Sequence, residues 1–247
     1  MGNLSGAPII GQGLYESSAT KQHALGTLHV TGDGRKFRYV QAGGTALVVG
    51  NLLQEAAEDT AYRSMVVQAA AAVGATEISV TLGGTAVTAN QFDEGHLLVE
   101  SAAGIGQLFK INSHTVQTST TGTCTFTVDR GVETALTTSS QVSVRKNPYD
   151  GVIVYPATTA TGQPVGVATF IIVASEYGWV QSGGPGTALF DDGTNTSNGV
   201  TAIVPSASVA GSVKPEGETD PGGSQVGFAR EIASVDSTQG FVWLTID

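Results

Sequence analysis

Apolar and polar residues alternate along short segments in the middle of this chain. In one of them Ile78, Val80 and Leu82 alternate with polar neighbours, and the doublet Gly83-Gly84 follows. The same pattern recurs in the segments 96–100, 108–111, 123–128 and 142–145. A period of two places successive side chains on opposite faces of a β-strand, and glycine pairs favour turns. Residues 66–147 are therefore predicted to form a small β-barrel or β-sandwich.

A second β module is predicted after Asn147-Pro148. Proline has no amide hydrogen for a sheet ladder, and it biases the preceding residue away from helix, so a break is expected there. Further strand-like segments follow at 152–155, 165–174, 179–181, 187–190, 203–205, 226–232 and 241–246. The polar run 214–223 predicts a surface loop. We therefore expect a second module over residues 148–247.

The chain before residue 66 lacks a clear period. Residues 1–33 contain frequent glycines and only scattered apolar side chains, which predicts an extended arm. Residues 46–62 form the best helix candidate, although Gly50 weakens it. Residues 1–65 are thus expected to hold the arm and a short helix or strand segment. The predicted fold class is mainly β: an extended N-terminal arm followed by two small β-barrel or sandwich modules, with at most one or two short helices.

Composition limits the partners of this chain. Charged residues make up 13% of the sequence, and the formal net charge is −10. Nucleic-acid binding requires clustered lysine and arginine, so no nucleic-acid partner is expected. The apolar run 165–174 is about half as long as a membrane-spanning helix, so no membrane partner is expected either.

The sequence offers little material for catalysis or metal binding. No serine lies in a nucleophile elbow, and the four histidines are too dispersed for a local metal motif. Residues 191–198 supply several oxygen donors of the kind that calcium prefers, but the same residues are common in β-turns. Cys124 shares a predicted strand face with Phe126 and Val128, which indicates a buried thiol. We predict no catalytic residue, no cofactor and no metal site.

Several short motifs resemble one protein family. Tyr177-Gly178-Trp179-Val180-Gln181 precedes a glycine-rich stretch and lies between two similar segments, 165–168 and 226–229. The order of these motifs resembles that in the head-decoration (capsid cement) proteins of tailed bacteriophages. Residues 34–40 and 147–152 also resemble the entry segment and the linker between modules of those proteins. In that family the tryptophan motif forms a hairpin, so a hairpin is expected here.

The resemblance implies a structural protein of the virion and not an enzyme. Such a protein would bind the outer surface of the major capsid shell, bridge neighbouring capsomers, and form a homotrimer. It would be assembled in the host cytoplasm and would lie on the outer capsid surface. The N-terminal arm would supply capsid contacts by adding a strand to an exposed sheet edge. The candidate contact residues are Leu14, Tyr15, Leu25, Leu28, Arg35, Phe37 and Tyr39.

Two other functions remain open on sequence grounds. A head-fibre or tail adhesin module would bind host glycans through loops near Trp179 or Asp191. The two tryptophans, Trp179 and Trp243, are interpreted as core residues, and a sugar-stacking platform is the alternative. A polysaccharide hydrolase would require a pair of carboxylates at a fixed separation, and the sequence does not single one out.

Overall fold

The computed structural model describes residues 11–191, 201–216, 224–231 and 237–247. The chain divides into two compact units. Unit 1 combines Met1–Ala57 with Pro148–Asp247, and unit 2 is Glu58–Asn147. This division departs from the three consecutive segments expected from the sequence, because the chain before residue 58 belongs to the same unit as residues 148–247.

The described residues form sixteen strands and one short 3-10 turn, Thr60–Tyr62. The prediction of a mainly β fold built from barrel modules is therefore confirmed. The strands are β1 (Leu28–Val30), β2 (Lys36–Gln41), β3 (Leu52–Gln54), β4 (Met65–Val66), β5 (Glu77–Thr81), β6 (His96–Ser101), β7 (Leu108–His114), β8 (Thr123–Val128), β9 (Gln141–Arg145), β10 (Ile153–Val154), β11 (Pro164–Ala168), β12 (Tyr177–Phe190), β13 (Thr201–Pro205), β14 (Val213–Pro215), β15 (Gly227–Glu231) and β16 (Thr238–Thr245).

The predicted helix at residues 46–62 is wrong. Gly50 adopts a positive φ of 84°, outside the right-handed helical region, and its amide donates to Ala168 O at 2.8 Å. The residues of β3 that follow are all buried, because this strand pairs with β10 on one side and β11 on the other. Long-range sheet pairing thus overrides the weak helical pattern of this segment.

Unit 2 is a closed six-stranded barrel. Its strands follow the order β4-β9-β6-β7-β8-β5, and an antiparallel pairing of Val67 with Val80 joins the last strand to the first. The predicted alternation in β8 is confirmed, since Cys124, Phe126 and Val128 are all buried in the barrel core. Closure of the ring leaves no free edge strand in this barrel.

An ion-pair clasp joins the two ends of unit 2. The Glu58 carboxylate accepts hydrogen bonds from the guanidinium groups of both Arg63 and Arg145, with Nε at 3.0 Å in each case. Glu58 is the first residue of the unit, and Arg145 ends the last strand of the barrel. Hydrogen bonds from Arg63 and then from Arg145 lower the Glu58 pKa to about 2.

Unit 1 contains two strand rings that share β12. The N-terminal half of β12 lies between β2 and β11, and the ring continues through β3 and β10 to a parallel pairing of Ala42 with Val152. The C-terminal half lies between β16 and β14, and β13 and β15 complete the second ring. Separate apolar clusters fill the two rings, one around Val180 and the other around Phe190.

The glycine-rich part of β12 bends instead of reversing, so the expected hairpin is wrong. Gly183 pairs with Lys36 of β2 and with Thr245 of β16, which marks the point where β12 passes from one ring to the other. Gly184 has a φ of 82°, and a Cβ atom there would lie 2.5 Å from Gly34 O. The buried Gln181 side chain donates to the carbonyls of Gly183 and Pro185 at 3.1 and 2.8 Å and stabilises the bend.

The predicted surface loop at 214–223 is also partly wrong. Val213–Pro215 is a buried strand, with Lys214 only 6% exposed, because it lies between β12 and β13. Residues 217–223 lie outside the described residues.

Gly184→Ala should destabilise unit 1. The substitution combines a left-handed backbone with a clash against Gly34 O, so we expect a loss of about 2–4 kcal/mol in the free energy of unfolding. Both tryptophans belong to unit 1, so tryptophan fluorescence during urea unfolding reports this change. Gly44→Ala is the control, because a Cβ atom there meets nothing within 4 Å. Equal stability of the two variants would contradict the role assigned to Gly184.

Glu58→Gln should destabilise unit 2 in a pH-dependent way. The folded-state pKa lies below the ordinary value of 4.5, so the carboxylate stabilises the fold above that pH and loses its effect as the pH falls towards about 2. Calorimetry should show a lower melting temperature for the variant at about pH 6 and a shrinking difference towards about pH 3. Glu133→Gln, which removes the exposed pair with Arg130, is the control. A difference that stays constant with pH would argue against the clasp.

Candidate interaction surfaces

The N-terminal segment covers one face of the β2–β12 sheet. Ser18 and Tyr177 exchange backbone hydrogen bonds of 3.0 and 2.8 Å, and Gln12 donates to Tyr177 O at 2.8 Å. The described residues of the expected arm, 11–33, are therefore part of unit 1 and contribute to its packing. Residues 1–10 lie outside the described residues.

Beneath this segment lies an aromatic cluster formed by Phe37, Tyr39 and Trp179. The Tyr39 hydroxyl donates to Gln12 Oε1 at 2.7 Å and accepts from the Gln22 amide at 3.0 Å. Burial raises the pKa of Tyr39, which keeps this donor protonated. Phe37 and Tyr39 have no exposed surface, so these two candidate contact residues are core residues.

The other five candidate contact residues differ in burial. Leu14 and Leu25 are half-buried against the aromatic cluster. Tyr15 and Leu28 are exposed, and the Tyr15 hydroxyl accepts a hydrogen bond from Arg35 at 2.9 Å. Arg35 is also paired with Asp33 at 2.9 Å. The sequence pattern could not distinguish these positions, because it does not show that residues 11–27 cover the outer face of β2.

A patch of exposed aliphatic side chains lies on two adjoining segments of unit 1. Leu47 and Ile172 are buried and exchange backbone hydrogen bonds of 2.9 and 3.1 Å. The four flanking side chains are 38–57% exposed, and we call them the aliphatic patch: Val48, Val49, Ile171 and Val173. Sequence reasoning missed this patch because it interpreted residues 165–174 as one continuous strand. The alternation of Ile171, Ile172 and Val173 across the two faces is visible only once the partner segment is known.

A second exposed surface lies on the outside of β16. Phe241 is 61% exposed and Trp243 is 43% exposed, so the prediction of a core position is wrong for Trp243, although it is confirmed for Trp179 at 1%. These two rings, with Pro185, Arg230 and Val242, line an open depression of about 330 Å³, which we call the aromatic face. The burial pattern of β16 explains the exposure of both aromatic side chains, because the residues that alternate with Phe241 and Trp243 fill the ring interior.

The described part of the chain shows no group of three or more His, Cys, Asp or Glu side chains that could hold a metal ion. Within the same residues, no helix is long and apolar enough to cross a membrane. Of the oxygen-rich run 191–198, only Asp191 is described, and its carboxylate accepts a hydrogen bond from Ser206. The remainder of that run, with its other oxygen donors, lies outside the described residues.

Comparison of this chain with family models, with curated proteins and with solved structures finds no match.

Tyr39→Phe should loosen the attachment of the N-terminal segment. The change leaves Gln12 Oε1 and the Gln22 amide without their hydroxyl partner, at an expected cost of about 1–3 kcal/mol in the free energy of unfolding. Tyr15→Phe is the matched control, since its hydroxyl accepts one exposed hydrogen bond. Urea unfolding followed by tryptophan fluorescence measures both, and equal effects would mean that the buried hydroxyl does not stabilise the segment.

Proposed function

We propose that this protein is a decoration protein of a tailed-bacteriophage capsid. It binds the outer surface of the major capsid protein shell and bridges neighbouring capsomers as a homotrimer. The resemblance of its motifs to the head-decoration family motivates the proposal. The aliphatic patch is the structural observation that supports it.

The aliphatic patch has the properties of a protein-binding surface. Neither 46–49 nor 170–174 contains a charged residue, and the four exposed side chains are all β-branched. Charge is depleted at the centre of protein interfaces, and clustered exposed apolar side chains gain free energy when a partner covers them. The reciprocal hydrogen bonds between Leu47 and Ile172 hold the two segments in place, so little conformational entropy is lost on binding.

Bridging explains how such a contact would stabilise a shell. A trimer that holds several subunits must break several contacts before the subunits separate, so modest individual affinities combine. Binding stabilises only the assembled state, because isolated subunits do not present the bridged site. Heads without the protein should therefore release DNA under milder heating than decorated heads.

The adhesin alternative rests on the aromatic face, which exposes one of the two tryptophans. Copy number separates the two functions. A decoration protein is present in hundreds of copies on each particle, whereas an adhesin is present in few. Quantitative mass spectrometry of purified virions measures this ratio directly.

The double variant Val48→Asp, Ile171→Asp should bind undecorated heads at least about tenfold more weakly than the unmodified protein, because two carboxylates would be buried without partners. Cosedimentation measures the affinity. The matched control is Val73→Asp, Val116→Asp, which places the same charges at exposed valines of unit 2.

Equal loss in both double variants would contradict the assignment of the aliphatic patch. Failure of the unmodified protein to bind heads, combined with reduced host adsorption of virions that lack it, would contradict the decoration function and favour the adhesin.

A further inference from the structure

Arg230 differs from every other arginine of this chain in its surroundings. The chain has six arginines, and five of them form ion pairs with carboxylates. These pairs are Arg35–Asp33, Arg38–Asp247, Arg63–Glu58, Arg130–Glu133 and Arg145–Glu58. Among the residues whose side chains the structure describes, Glu231 not included, the exposed Arg230 forms no ion pair, and it lines the aromatic face. Its guanidinium therefore lies where a ligand on the two rings could meet it.

The sheet register places two aromatic rings beside this arginine. Trp243 lies opposite Pro185 on one neighbouring strand and opposite Phe228 on the other. Phe241 occupies the same outer row two residues earlier, at a spacing of roughly 7 Å along a strand. Pairing on both sides of β16 fixes the backbone beneath both rings, so they form a preorganised platform.

The dimensions of the aromatic face favour a small ligand. Its volume of about 330 Å³ lies at the lower end of the range for small-molecule pockets. A stable protein interface uses roughly 20–30 residues on each side, far more than this depression provides. Because the depression is open, a bound ligand would keep one side in water while the other covers the rings. A sugar fits this requirement, since it combines an apolar C–H face with a hydroxylated edge.

We propose that the aromatic face binds a saccharide that carries a carboxylate. The sugar ring stacks on Trp243 and Phe241, and the carboxylate accepts paired hydrogen bonds from the Arg230 guanidinium. This site is separate from the aliphatic patch, and the proposal does not depend on capsid binding.

The test uses pairs of sugars that differ in the negative charge. Tetragalacturonate is compared with its methyl ester, and sialyllactose is compared with lactose, each titrated into the full-length protein. Trp243 is exposed and Trp179 is buried, so a change in tryptophan fluorescence reports occupancy of the aromatic face. At least one acidic sugar should bind with a dissociation constant of about 1 mM or lower, and its uncharged counterpart should bind at least about tenfold more weakly.

Two variants test the roles of the residues. Arg230→Gln should reduce the affinity for the acidic sugar to that for the uncharged one, and Phe241→Ala should weaken both while Trp243 remains as the reporter. Arg130→Gln, which removes an exposed arginine of unit 2, is the control and should bind as the unmodified protein does. Head binding should be unchanged in all three variants.

Three results would overturn the proposal. The first is no binding of either acidic sugar at about 10 mM, well above the expected dissociation constant. The second is binding that Arg230→Gln and Phe241→Ala leave unchanged. The third is a loss of head binding in these variants without any sugar binding, which would assign the aromatic face to a protein partner.

Discussion

The long strand β12 is the element on which unit 1 depends, because it contributes to two closed rings at once. Its first half completes the ring around Val180, and its second half completes the ring around Phe190. A local bend lets one strand change partners in this way, and here Gly183 and Gly184 occupy that point. Gln181 then satisfies two carbonyls at the bend with its buried amide. The glycine-rich stretch is thus a joint between two cores.

Strand patterns could be predicted from the sequence, but the way the strands are assembled could not. The alternation at Cys124, Phe126 and Val128 determines which face is buried without any knowledge of the partner strands. The division of the chain into two units depends instead on long-range pairing, since β3 pairs with β10 and β11, about a hundred residues later. No local pattern reveals such a pairing, and so residues 1–65 were expected to stand apart. The clasp at Glu58 depends equally on a distant residue, Arg145.

The two tryptophans show why the candidate surfaces were equally hard to predict. Each tryptophan lies on a strand that has partners on both sides. The Trp179 side chain points away from the interior of the ring around Val180, and the Trp243 side chain points away from the interior of the ring around Phe190. Trp179 is buried because residues 11–27 cover its face of the sheet, and His23 contacts it at a ring-centroid distance of 5.2 Å. Nothing in the described chain covers Trp243, which stays 43% exposed. The difference comes from a covering segment more than 150 residues away in sequence, and neither the residue type nor its neighbours indicate it.

The two exposed surfaces of unit 1 differ in the force that would drive binding. The aliphatic patch has no charged residue in either segment, so a partner there gains free energy mainly from apolar burial, which salt screens little. The aromatic face adds Arg230, whose attraction to a carboxylate at an exposed site weakens as ionic strength rises. Gln239 links the two regions, since it lies on β16 and its side chain donates to Val49 O at 3.3 Å. Salt concentration can therefore separate the two proposed roles experimentally, that of the aliphatic patch for a protein partner and that of the aromatic face for a charged ligand.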